Sequence, residues 1–263
     1  MKDPDGRQHH IHLRYGDVGR YVLLPGDPGR CEVIAAYFDD ARLVAHNREF
    51  RTYTGTLLGE PVSVTSTGIG CPSTAIAVEE LIACGADTFI RVGTSGGMQP
   101  ECHTGDVAVL TAAIRDEGTT LHYMPVEFPA IADPDVVLAL REGARRAGIP
   151  FHVGITQSKD SFYGEVEPRR MPVDARLLQR WKAWVAGGAI CSEMEASTIF
   201  VLSSIYRTRG GGVMLIAGED LAAPGLTAEA HDQLRGLLDI HRVIRVAIEG
   251  LQVLIERDRT TSR

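Results

Sequence analysis

Along the chain, short runs rich in Val, Ile and Leu alternate with longer stretches whose apolar residues recur at helical spacing. The apolar runs predict strands at Tyr21–Leu24, Pro61–Thr65, Thr88–Val92, Val107–Ala112, Phe151–Thr156 and Gly212–Ala217. The helical spacing predicts helices at Gly29–Phe38, Ser73–Cys84, Pro134–Ala147, Leu177–Ala186, Met194–Tyr206 and Thr227–Ile255. Apolar strands separated by helices predict an α/β fold, a mixed twisted central sheet covered by helices on both faces. No repeat, linker or low-complexity tract divides the chain, and 263 residues fit one domain, 1–263. The polar ends, residues 1–9 and 257–263, are expected to be flexible.

Charge and cysteine usage narrow the chemistry. A net charge of -7 excludes general affinity for nucleic-acid backbones and points to a small-molecule substrate. Cys31, Cys71, Cys84, Cys102 and Cys191 are scattered, with no Cys-x-x-Cys pair, and read as reduced, mostly buried thiols of a cytoplasmic protein. The polar N-terminus carries no signal-peptide core, and no apolar run is long enough to span a membrane.

Three segments carry candidate chemistry. Phe89-Ile90-Arg91-Val92-Gly93-Thr94-Ser95-Gly96-Gly97 reads as a buried strand entering a glycine-rich turn. An arginine fork, backbone N–H groups and a hydroxyl there would converge on an oxyanion. Tyr21–Leu24 leads into Pro25-Gly26-Asp27-Pro28-Gly29-Arg30, a second arginine beside a helix start, which also suits phosphate. Ser192-Glu193-Met194-Glu195-Ala196-Ser197 sets two carboxylates around a methionine.

With these stand His46-Asn47-Arg48-Glu49-Phe50, Ser66-Thr67-Gly68-Ile69-Gly70, Pro72-Ser73-Thr74-Ala75 and Asp160-Ser161-Phe162-Tyr163. In this set and order the chain resembles the nucleoside phosphorylases, most of all their uridine phosphorylase branch, from about His10 to Asp220. The resemblance implies phosphate-dependent cleavage of a nucleoside to free base and pentose 1-phosphate, with no organic cofactor. Phosphate would be held by Gly26, Arg30, Arg91 and Thr94 and by Arg48 from a neighbouring subunit, in a homo-oligomer of dimer units, a hexamer in many members. Glu195 would accept hydrogen bonds from the ribose hydroxyls, Met194 would pack on the sugar, and His10 of a partner would meet the 5′-hydroxyl. For His10 a histidine-rich tail is the other reading. Glu193 joins the ribose site or caps its neighbours. Glu49, Ile69 and Ser73 match positions that hold a monovalent cation such as K+ at a dimer interface, hard-oxygen ligation that suits such an ion.

The base would lie against Ser95, Gly96 and the aromatic face of Phe162. Here the sequence departs from its relatives. The position of a uracil-reading glutamine falls on Glu165, or on Val166 in an alternative alignment, and that of the arginine on Arg170. An ionised glutamate only accepts hydrogen bonds, so this reading favours a base edge with two adjacent donors, such as guanine. Asp220 falls roughly where purine nucleoside phosphorylases place a general acid, and equally reads as an exposed acidic turn. The expectation is a uridine-phosphorylase-like enzyme with an altered base pocket. A phosphorylase of guanine-type nucleosides, a nucleosidase and a non-catalytic nucleoside-binding protein stand as alternatives.

Overall fold

The computed structural model describes residues 3–218 and 238–261. Ten strands form one mixed sheet, in chain order β1 (Tyr21–Leu24), β2 (Asp39–Asn47), β3 (Phe50–Leu57), β4 (Glu60–Thr65), β5 (Thr88–Gly97), β6 (Val107–Asp116), β7 (Ala130–Ile131), β8 (Phe151–Lys159), β9 (Cys191–Glu193) and β10 (Arg209–Ile216). Strand β5 pairs with β10 in parallel and with β9 antiparallel, and β10, β6, β8 and β9 follow one another in pairing. Those five strands therefore close on themselves, while β1, β4, β3 and β2 extend from the other partner edge of β5.

Among the described residues, seven α-helices cover this sheet: α1 (Gly29–Ala35), α2 (Cys71–Ala83), α3 (Pro134–Ala147), α4 (Phe162–Val166), α5 (Asp174–Ala186), α6 (Ala196–Tyr206) and α7 (His241–Thr261). Side chains alternate across a strand, so each strand feeds two cores. Leu23, Val64, Ile90 and Val213 face α1, α3 and α7, packing with Ile34, Leu140 and Leu251. Val22, Leu24, Phe89 and Met214 face α2 and α6, packing with Leu81, Ile199 and Phe200. Helices α3 and α7 approach closely where a Cβ on Gly143 would stand 2.4 Å from the backbone nitrogen of Gly250.

The structure corrects several expectations. The hairpin β2–β3 was not predicted, because β2 carries no buried residue and β3 buries threonine as well as apolar side chains. The stretch after Val92 is strand rather than turn, since Gly93 to Gly97 pair with β10 and then β9. The base-reading segment, for which no element was predicted, forms two short helices at 162–166 and 168–170. Helix α7 starts at His241 and runs beyond Ile255 to Thr261; the expected stretch 227–237 lies outside the described residues. The C-terminal residues 257–261 are held because Asp258 pairs with Arg209 and Arg259 with Glu60. Near the other end, Gln8 is only 3% exposed and its N–H donates to Leu13 O at 2.8 Å, while residues 4–7 and His9 are exposed.

Candidate active site

The site is built where β1, β5 and β9 end. Arg91 lies in β5 opposite Leu24, is 5% exposed, and donates from Nη1 to the Leu24 carbonyl at 3.3 Å. Its Nη2 donates to Glu195 Oε2, and its Nε lies 3.6 Å from Glu193 Oε2 without a hydrogen-bond partner among the described residues. The other oxygen of Glu195 accepts from the Gly70 N–H at 2.7 Å, at the start of α2. Thus one guanidinium and two buried carboxylates share a cluster of net charge -1. Gly26 closes one side: a Cβ there would stand 3.1 Å from Gly68 O and 3.5 Å from Arg91 Nη1.

Glu193, two residues before the N-cap residue Glu195, turns its side chain onto the start of α6. Its carboxylate accepts from the N–H groups of Glu195 at 2.8 Å and Ala196 at 2.9 Å and from the Ser158 hydroxyl. A carboxylate at a helix N-terminus satisfies orphan donors and complements the dipole. Burial pushes the Glu193 carboxyl above its usual range and the Glu195 charge adds to this, against the opposing pull of Arg91. Met194 is half-buried between the two acids, and its carbonyl accepts from the Cys71 thiol at 3.1 Å.

Not every expected phosphate group converges in one protomer. Arg30 is half-buried in α1 directly after the Gly26 turn, and Thr94 is half-buried in β5. Arg48 is exposed, with φ of +52°, in the β2–β3 turn. Beside it, Ser73 Oγ stands 2.7 Å from Glu49 Oε1 and 2.6 Å from Thr67 O. The Ser73 hydrogen bond holds the Glu49 carboxyl below its usual range, and Ile69, 78% exposed, projects from the same loop.

His10 belongs to an ordered arm. Glu80 of α2, absent from the sequence prediction, accepts from the His10 and Ile11 N–H groups at 3.0 and 2.9 Å and lies 2.7 Å from His10 Nδ1. Asn47 Nδ2 donates to the His10 carbonyl at 2.7 Å, tying the arm to β2.

The base segment differs most from expectation. Ser95 and Gly96 are buried in β5, with Gly96 opposite Ser192, and Phe162 is half-buried against Tyr163. Glu165 is buried but not a bare acceptor: Oε2 accepts from the Ser192 hydroxyl at 2.7 Å, and Lys159 Nζ stands 3.0 Å from Oε1. Arg170 does not join it, because Glu167, three residues back, takes its guanidinium at the surface. Lys159 and Gln157 are functional candidates the sequence analysis does not name, and Ser192 enters it only as the first residue of the carboxylate segment; the signal was a lysine immediately before Asp160-Ser161-Phe162-Tyr163. Asp220 lies outside the described residues.

An arginine locked to paired carboxylates beside glycine-lined strand ends suits a group-transfer enzyme that handles an anion and a polyol, and the comparisons agree. The Phosphorylase superfamily profile matches residues 20–254. A uridine phosphorylase of Treponema pallidum (strain Nichols) is 51% identical over 253 residues, 95% of each chain. A uridine phosphorylase of Thermococcus kodakarensis is 50% identical over 218 residues, 81% of this chain and 77% of the relative. A guanosine phosphorylase of Halorubrum lacusprofundi is 36% identical over 250 residues, 94% of this chain and 99% of the relative. The chain belongs to the phosphorylase superfamily and is a nucleoside phosphorylase, a pentosyltransferase.

Proposed function

We propose that the enzyme cleaves uridine with inorganic phosphate to uracil and ribose 1-phosphate. The observation that carries this reading is the buried Arg91–Glu195 pair, whose two ends are fixed by Leu24 O and the Gly70 N–H. Glu195, held at both oxygens, keeps lone pairs for the ribose hydroxyls and places negative charge near the sugar as the glycosidic bond breaks. Arg91, with Arg30, Thr94 and the backbone at Gly26, receives the phosphate that attacks C1′. The bonding electrons leave with the base.

Charge counting supports an oligomer. Arg91 with Glu193 and Glu195 sums to -1, so a phosphate dianion there needs further cations. Arg30 would supply one, and Arg48, exposed in the β2–β3 turn, would supply another to the site of a second copy. His10, set by Glu80, would enter a neighbouring ribose site in the same way. The oxygen-only set of Glu49 and Ser73 with the adjacent carbonyls fits a monovalent cation such as K+ beside that hairpin. Five buried free thiols suit a reducing, cytoplasmic compartment.

The uracil assignment follows the uridine phosphorylases named above and the neutralisation of Glu165 by Lys159, which removes the acceptor-only argument for guanine. Base release from uridine, cytidine, inosine, guanosine and adenosine, each with and without phosphate, tests it. Phosphate-dependent uracil release is expected; none from uridine would refute the assignment.

A further inference from the structure

We infer that Lys159, acting with Glu165, reads the O=C–N–H edge of the base and is the residue that separates oxo bases from amino bases. The inference rests on the nucleoside phosphorylase reading, and it replaces the arginine that the motif alignment led one to expect.

Both side chains are buried, Lys159 at 7% and Glu165 at 8% exposure, and both line a cavity of about 280 Å3 together with Gln157, Ser161 and Gly164. Lys159 Nζ donates to Ser192 Oγ at 2.6 Å and stands 3.0 Å from Glu165 Oε1. That second approach is an ion pair without hydrogen-bond alignment, so Oε1 has no hydrogen-bond partner among the described residues. An ammonium has three N–H donors, of which one goes to Ser192. The cavity wall thus holds an available donor beside an available acceptor.

Strand alternation connects this wall to the chemistry. Gln157 and Lys159 lie on one face of β8, with Ser192 opposite Gln157; Ser158 lies on the other face, opposite Glu193. Glu193 in turn touches Arg91 and donors next to Glu195. Lys159 is thus the chain neighbour of Ser158, which meets Glu193 on the other face of β8, and Ser192, which Lys159 contacts, is the chain neighbour of Glu193.

A donor beside an acceptor complements a carbonyl beside an N–H. Uracil presents that edge at O4 and N3–H. Cytosine presents the reverse, an amino group toward the ammonium and a bare ring nitrogen toward the carboxylate, so both contacts fail. Holding two ions out of water is costly, and a merely structural contact is made as well by neutral side chains. A pair that lines a cavity and leaves one carboxylate oxygen without an aligned donor among the described residues is open to a ligand.

The test uses the full-length enzyme. Parent selectivity for uridine over cytidine should be about a hundredfold or more, as for sites built to hydrogen-bond one edge. With 3-methyluridine, whose N3–H is blocked, kcat/KM should fall by about a hundredfold, and undiminished turnover would overturn the inference. Lys159→Met should lower kcat/KM for uridine more than tenfold, chiefly through KM, and shrink the uridine preference, on the order expected for a lost charge-assisted contact. Lys159→Met with Glu165→Gln should recover uridine turnover to within about tenfold of the parent, since one amide both donates and accepts. If Lys159→Met alone melts near the parent and keeps its uridine-to-cytidine ratio with no change in KM, the pair is structural and the inference fails. If the parent releases no uracil, the uridine assignment fails on its own and inosine against adenosine becomes the comparison; a parent that prefers adenosine overturns the Lys159 reading.

Discussion

Arg91→Ala separates the anchoring of the carboxylates from the binding of phosphate. The guanidinium is the one cation in contact with both Glu193 and Glu195 among the described residues, and all three side chains are buried. Removing one partner of a buried ionic cluster costs about 3–5 kcal/mol, since the charge left behind is neither solvated nor paired. For a chain of this size, each kcal/mol lowers the melting temperature by about 2–4 °C, giving a fall of roughly 6–20 °C by calorimetry. Phosphate would lose two fork contacts worth about 1.5–3 kcal/mol each. At about 1.4 kcal/mol per factor of ten, kcat/KM for phosphate should fall by roughly 10^2 to 10^4, measured below the unfolding onset. Arg91→Lys, which keeps a point charge and loses the fork, should fall between. A phosphate KM within twofold of the parent, with only the nucleoside KM raised, would refute the assignment and leave Arg91 as a support for Glu195.

Two further outcomes follow from geometry. Gly26→Ala places a methyl 3.1 Å from Gly68 O and 3.5 Å from Arg91 Nη1, so the phosphate KM should rise while the melting temperature stays within a few degrees; an unchanged phosphate KM places phosphate elsewhere. At the far end of the sheet, burial opposes ionisation of Asp258, but hydrogen bonds from Arg209 and Tyr21 outweigh it and hold the carboxyl below its usual range. A depressed carboxyl stabilises the fold above the unfolded value, near pH 3.9, and that contribution disappears as pH falls through the folded value. The melting-temperature gap between the parent and Asp258→Asn should be open at pH 7 and close toward pH 2.5, and a gap independent of pH would contradict the pairing.

The elements legible in the chain are those whose signals are local. Helix α3 matches its expected bounds, Pro134 to Ala147, because Asp133 caps it, Pro134 starts it and Gly148 ends it in the left-handed region. Strand β1 matches as well, its four residues all buried on two faces. The hairpin β2–β3 escaped because its core-facing positions include Thr52, whose hydroxyl bonds Thr65 at 2.9 Å, so a polar letter stands where burial is complete. The end of β5 escaped because glycines read as a turn until β9 and β10 are known to flank them.

The same division runs through the site. Arg91, Glu195 and Gly26 were legible because each sits in a short motif whose backbone fixes where the side chain goes. Glu165 was legible as a departure, but its counter-charge was not: a carboxylate alone argues for a donor-rich base, while a carboxylate beside a buried ammonium argues for a carbonyl and an N–H side by side. The ammonium comes from Lys159 at a strand end, where lysine ordinarily reaches solvent, and Ser192, 33 residues further on, completes its shell. Arg170 shows the converse: alignment supplied a guanidinium, but Glu167 on the adjoining turn lies nearer than the pocket and takes it to the surface. On the proposed reading, what the chain recognises depends less on which residue fills the glutamine position than on which counter-charge the neighbouring strand brings to it.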